Sequence, residues 1–97
     1  MIVSFRDRGT QDLFNGVDSK GARRACPVEL QRIALRRLTM LNRAIMLSEL
    51  RYPPGNHLEA LKGDRDGQHR IRISEQYRIC FFWTLDGPTD VEIVDYH

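Results

Sequence analysis

The feature that most constrains this chain is a change of periodicity at Tyr52-Pro53-Pro54-Gly55-Asn56. Two prolines followed by a glycine continue neither a helix nor a central strand, so whatever precedes them has to end there. Before the break, Leu30, Ile33/Ala34, Leu38, Leu41 and Ile45 recur at the helical period. The spacing predicts a helix over residues 27–45, with Pro27 at the first position, where its missing N–H costs nothing. After the break the period becomes two. Residues 69–74 read His-Arg-Ile-Arg-Ile-Ser, residues 77–83 are rich in β-formers, and residues 89–97 make a third strand candidate. Short turns at Glu75-Gln76 and Asp86-Gly87-Pro88 join the three into an antiparallel meander.

Ahead of the long helix, Ile2-Val3-Ser4-Phe5 reads as a first strand. Residues 10–15 read as a short helix capped by Thr10 and ended by Asn15-Gly16, and Ser19-Lys20-Gly21 as loop. The expected order is β-α-α-β-β-β, an α+β fold with two N-terminal helices on one face of a small antiparallel sheet. At 97 residues and 41% hydrophobic content, the chain supports one core and one domain, residues 1–97. Phe81, Phe82 and Trp83 are expected in that core, and His69 at the surface. One register stays open. An even-length turn after residue 74 places Arg78 on the face of Ile71 and Ile73, and an odd-length turn places it opposite.

Several function classes fall away on composition. No apolar run reaches the roughly 18–20 residues that span a bilayer, and the opening residues lack a signal-peptide core. A cytoplasmic location without membrane contact is expected. Cys26 and Cys80 are far apart and outside any metal-ligand spacing, which favours buried free thiols. Net charge is only +2, but residues 1–52 carry ten Lys/Arg against five Asp/Glu, and residues 53–97 carry five against eight. Lys20 and Lys62 are the only lysines among fifteen basic residues. Arginine's planar fork matches phosphate oxygens, so the bias suits RNA contact as well as it suits a solvated helix face. Arg32, Arg36 and Arg43 form such a stripe on the long helix.

Three places hold groups able to act on phosphates: the segment from His57 to Arg65 with Lys62, the run Gln76-Tyr77-Arg78-Ile79, and the closing Val94-Asp95-Tyr96-His97. Cleavage of RNA by its own 2′-hydroxyl needs a base, an acid and cations around a crowded, negatively charged phosphorane. Histidine suits either proton role, lysine and arginine suit the electrostatic one, and no metal or other cofactor is required. Singly, each signal has a plain structural reading: a solvated loop histidine, a packed strand tyrosine beside a surface charge, a polar chain end.

Taken together the three places resemble the HigB branch of the RelE/ParE toxin superfamily. His57-x-x-x-Leu61-Lys62-Gly63-Asp64-Arg65-x-Gly67 is similar to the family's His…Leu-Lys-Gly-Asp-Arg-x-Gly segment. Arg72-Ile73-x-x-x-Tyr77-Arg78-Ile79-x-Phe81 resembles its central hairpin, and Val94-Asp95-Tyr96-His97 its closing Asp-Tyr-His. Two departures stand out: Tyr77 where the family often has tryptophan, and Pro53-Pro54, which lengthens or stiffens the approach to His57. The resemblance implies a ribosome-dependent endoribonuclease that cuts mRNA in the A site without metal. It implies a partner as well, a helix-turn-helix antitoxin that holds the toxin inactive in a hetero-oligomer, the toxin alone being a monomer. Carried over, His57, Asp95, Tyr96 and His97 form the catalytic group, with Lys62 and Arg78 stabilising the phosphorane. His97 and His57 then transfer protons, Asp95 orients or acts as base, and Tyr96 stacks on or bonds to the nucleotide. Arg32, Arg36, Arg43 and Arg65 become RNA or ribosome contacts. Competing readings are a ParE-like poison of DNA gyrase, a non-catalytic nucleic-acid-binding module that uses the arginine stripe, and an inert toxin remnant kept for antitoxin binding.

Overall fold

A computed structural model describes residues 1–96, so His97 lies outside the described residues. Three helices, α1 (Arg8–Phe14), α2 (Lys20–Ala25) and α3 (Gln31–Arg43), precede four strands, β1 (Glu59–Ala60), β2 (Gln68–Arg72), β3 (Tyr77–Thr84) and β4 (Gly87–Asp95). The strands form one antiparallel sheet in the order β1-β2-β3-β4. The α+β class and the meander are as the sequence predicts. The opening segment lies beside β4, parallel to it, and is tied by a single bridge between Phe5 and Val91 rather than a full ladder. Val3 N–H donates to the Pro88 carbonyl and Arg6 N–H to that of Val91.

The helical half differs from expectation in its caps. Asp7, not Thr10, caps α1, its carboxylate accepting the Thr10 N–H at 2.6 Å. Thr10 is buried, and its hydroxyl accepts the Ile93 N–H at 3.1 Å, which stitches α1 to β4. Ser19, read as loop, caps α2 by accepting the Ala22 N–H at 3.0 Å and donates to Asp12 at 2.8 Å. Gly21 belongs to that helix for a packing reason. A Cβ on Gly9 of α1 would run into the Gly21 carbonyl oxygen, so these helices cross at backbone contact. Pro27 precedes a single 3₁₀ turn, Val28–Leu30, and α3 starts only at Gln31. It stops at Arg43, because the Glu49 carboxylate takes the N–H groups of Ile45 and Met46 at 2.7 and 2.6 Å and turns the chain outward. Ile45 matches the helical period but is 85% exposed.

Ile71, Ile79 and Ile93 share one rung of the sheet and are buried with Ile73, Phe81 and Val91 beneath Leu13, Ala34, Leu38 and Leu41 of the helices. The chain takes three residues, 74–76, to turn from Ile73 to Tyr77, whose carbonyl accepts the Ile73 N–H. This odd-length turn settles the open register. Arg78 pairs with Arg72 and lies on the face away from the isoleucines. A bulge opposite Phe81 shifts the alternation of β4 through Asp90 (φ 51°), so Thr89 and Glu92 share a face with Phe82 and Cys80. Phe82 is therefore outside the helix-covered core, packing near Gly67 on the other face, while Phe81 is inside it and Trp83 at its margin.

His69 corrects another expectation. It sits on the helix-covered face, half-buried, its ring 6.3 Å from that of Phe81 and its Nδ1 buried without a partner among the described residues. Burial holds this imidazole below its ordinary pKa. The unfolded chain, at about 6.5, then binds the proton more readily than the folded one. The contribution to stability is whole above pH 6.5 and is lost as pH falls toward the lower folded value. His69→Leu should accordingly narrow the difference in melting temperature between pH 7.5 and pH 5.5 by a few degrees, read by calorimetry. An unchanged difference would show that His69 titrates alike folded and unfolded.

Candidate active site on the open face of the sheet

The face turned away from the helices is built by the other half of the alternation. Arg70 and Arg72 flank Ile71, and burying the isoleucines turns the arginines outward. One rung runs Glu59, Arg70, Cys80, Glu92, and the next runs Arg72, Arg78, Val94. Where β4 ends, Tyr96 comes down on the first of these. The Arg70 guanidinium lies 4.9 Å from the Tyr96 ring centroid, and the Tyr96 hydroxyl is 3.4 Å from Cys80 Sγ. Between this ring and the segment after β1 opens a cleft of about 350 Å³, lined by Leu61, Lys62, Asp64, Arg65, Arg70 and Tyr96.

The electrostatics of this face are set by which charges are neutralised. Arg65 is committed: its guanidinium donates to Glu92 at 2.7 Å and to Gln68 at 3.1 Å, and the Glu92 bond holds its pKa above the ordinary value. Glu92 is also 3.8 Å from Arg6. Arg78 donates to the Ser74 carbonyl, and its pKa is lowered by burial and then by the neighbouring Arg70 and Arg72. That crowding marks a surplus of positive charge, to which exposed Lys62 adds. Burial, then the contact with Cys80, raises the Tyr96 phenol, which therefore stays protonated at neutral pH and able to donate. Cys80 is pushed up by burial, and Cys26 by burial and Glu29 to about 11, so both free thiols are unreactive packing groups.

Of the residues singled out in the sequence, the fold brings Lys62, Arg65 and Tyr96 around one cleft and sets Arg78 on the same face. His57 ends the 3₁₀ turn Pro54–Asn56 in the left-handed region (φ 47°), exposed and outside the cleft lining. Asp95 pairs with Tyr77 on the opposite side of its strand and accepts a hydrogen bond from Gln76 at 2.9 Å. Arg32, Arg36 and Arg43 are exposed on the helical layer, across the sheet from the cleft. The last two border a separate hollow with Thr39, Met40 and Glu49. Two site residues were overlooked in the sequence, Arg70 and Glu59. Strict alternation around Ile71 was signal enough for Arg70. Glu59 carries no such signal, since its strand is two residues long. No cluster of His, Cys, Asp or Glu suited to a metal ion occurs among the described residues, nor any helix long and apolar enough to cross a membrane.

The architecture can be set beside known proteins. A family model described as RelE-like toxin of type II toxin-antitoxin system HigB matches residues 3–97. Toxin HigB-1 of Vibrio cholerae serotype O1 is 34% identical over 97 residues, which cover 100% of this chain and 98% of that relative. An uncharacterized protein of Haemophilus influenzae is 34% identical over 55 residues, 57% of this chain and 54% of its own length. The family match spans both the helical layer and the cationic sheet, and the relative from Vibrio aligns from end to end. The chain therefore belongs to the HigB-like family of RelE-like toxins of type II toxin–antitoxin systems.

Proposed function

We propose that this protein is a ribosome-dependent endoribonuclease acting in the cytoplasm, which cuts mRNA in the A site by attack of the RNA's own 2′-hydroxyl. The observation that carries the reading is the open sheet face, where Arg72 and Arg78 share the side of the cleft that Lys62, Arg70 and Tyr96 line, and where, among the described residues, Arg70 alone of these four cations has a carboxylate within ion-pair distance. As the 2′ oxygen adds to phosphorus, the phosphorane gains negative charge, and cations fixed beforehand stabilise it more than they stabilise the ground state. Lys62 and Arg78 take this role. Arg70 holds the Tyr96 ring as a platform on which a base can stack, and the protonated phenol can donate to the nucleotide. His97 protonates the departing 5′ oxygen, and Asp95, fixed by Gln76, supplies a carboxylate beside the chain end. The products are a 2′,3′-cyclic phosphate and a 5′-hydroxyl.

A type II system implies an antitoxin partner. We take it to be a helix-turn-helix protein that masks the toxin in a hetero-oligomer, while Arg32, Arg36 and Arg43 meet ribosomal RNA from the helical layer. A ParE-like gyrase poison would need no cationic cleft around a tyrosine, and that contrast sets the test. After induction in a bacterial host, pulse labelling should show protein synthesis stopping well before DNA synthesis, with relief on co-expression of the antitoxin. Early arrest of DNA synthesis with double-strand breaks would instead favour the gyrase reading.

A further inference from the structure

We propose that Glu59 is the base that takes the 2′-hydroxyl proton, an inference that rests on the ribonuclease reading. The role needs a proton acceptor at the cationic cleft whose lone pairs are not already committed. Four carboxylates stand in or near that region, and three are poorly placed or taken. Glu92 is only 14% exposed at its side chain and bound to Arg65 at 2.7 Å. Asp95 is on the other side of its strand, engaged by Gln76. Asp64 lines the cleft, but from the tip of the 3₁₀ turn Gly63–Arg65, off the ladder that fixes the other groups.

Glu59 is held differently. It is the register partner of Arg70, and both of its oxygens lie 3.4 Å from one Arg70 nitrogen. At that length the contacts orient the carboxylate without consuming it, and its side chain keeps 51% exposure. The same guanidinium lies against the Tyr96 ring, so a nucleotide stacked there brings its sugar toward the acceptor. Charge makes the placement informative. A carboxylate in a field meant for phosphate weakens RNA binding, a cost that catalysis offsets if the group must accept a proton. Glu59 borders the cleft through Arg70, which lines it, whereas exposed His57, two residues earlier, lies before the strand and has no such partner among the described residues.

In the step itself, the Glu59 carboxylate takes the 2′-hydroxyl proton while the O2′–P bond forms and the P–O5′ bond breaks. His97 gives its proton to O5′, and Glu59 releases its own to water. The charged groups facing Glu59 are Arg70 from β2 and Arg78 from β3, and Arg70 separates it from the cleft lined by Lys62, Asp64, Arg65 and Tyr96.

The test is single-turnover cleavage of mRNA on purified translating ribosomes at one neutral pH, with wild type, Glu59→Gln, Glu59→Asp, Asp64→Asn and His57→Ala. Binding is measured to ribosomes whose A-site codon carries a 2′-deoxy sugar at the cut. Glu59→Gln should lose about 10²–10³-fold in rate, while binding the deoxy complex at least as well as wild type. Glu59→Asp, which keeps the carboxylate, should recover part of the rate. Glu59→Gln cutting within twofold of wild type overturns the assignment, as does loss confined to Asp64→Asn or His57→Ala. If wild type leaves the mRNA whole, the ribonuclease reading itself falls, and this inference with it.

Discussion

Replacing Lys62 with alanine should lower mRNA cleavage by about 10²–10³-fold, the usual effect of removing one preorganised electrostatic group from a transition state. Lys62 is exposed in the segment that leads from β1 to the 3₁₀ turn before β2, where its side chain supports no core contact. The melting temperature should therefore stay within about two degrees of the parent. Arginine at position 62 should restore part of the rate by keeping the charge, and methionine should restore none. Arg78 is a less clean probe, because it donates to the Ser74 carbonyl and so also holds the turn before β3. Its alanine variant should lose activity and some stability together. If Lys62→Ala cuts as fast as wild type, the phosphorane is not stabilised from this cleft.

The largest effect on folding should come from Phe81→Ala. Phe81 is fully buried, occupies the centre of β3 opposite the β4 bulge, and is the largest side chain entirely removed from solvent. Truncating such a ring leaves both a lost transfer term and a cavity, about 3–5 kcal/mol. That is a large share of the roughly 5–15 kcal/mol that keeps a domain of this size folded. Thermal denaturation should show a fall in Tm of at least about 12 °C, or no cooperative transition at all. Phe82→Ala is the internal comparison. Its ring lies one residue away but on the open face, half-buried near Gly67, and should cost less than half as much. Equal losses would contradict the register that places these two rings on opposite faces.

Much of this architecture was legible because the sequence repeats its reasons. The change from a period of 3.6 to a period of two gave the α+β order, and Ile71 between Arg70 and Arg72 marked which half of β2 faces solvent. What stayed hidden was decided by contacts between distant residues. Ser19 looked like loop because glycine follows two positions later, yet that glycine serves the backbone crossing with Gly9. Ile45 kept the helical period and still left the helix, because Glu49 captures its N–H. The bulge at Asp90 shifts the alternation of β4, so counting by twos back from Asp95 misassigns Thr89 and the residues before it. Glu59 was invisible for a similar reason: a strand of two residues has no period, and only its pairing with Arg70 carries it to the cleft. The charged motif near Lys62 was readable, whereas the guanidinium that organises it came from another strand.

The most direct measurement is 5′-end mapping of a defined mRNA in a purified translation system, with wild type beside Lys62→Ala, and with and without ribosomes. The account predicts cuts within A-site codons for wild type, ending in 2′,3′-cyclic phosphate, only when ribosomes are present, and nearly none for Lys62→Ala. Intact mRNA with wild type on translating ribosomes, or cuts of equal intensity with the Lys62 variant, would contradict it.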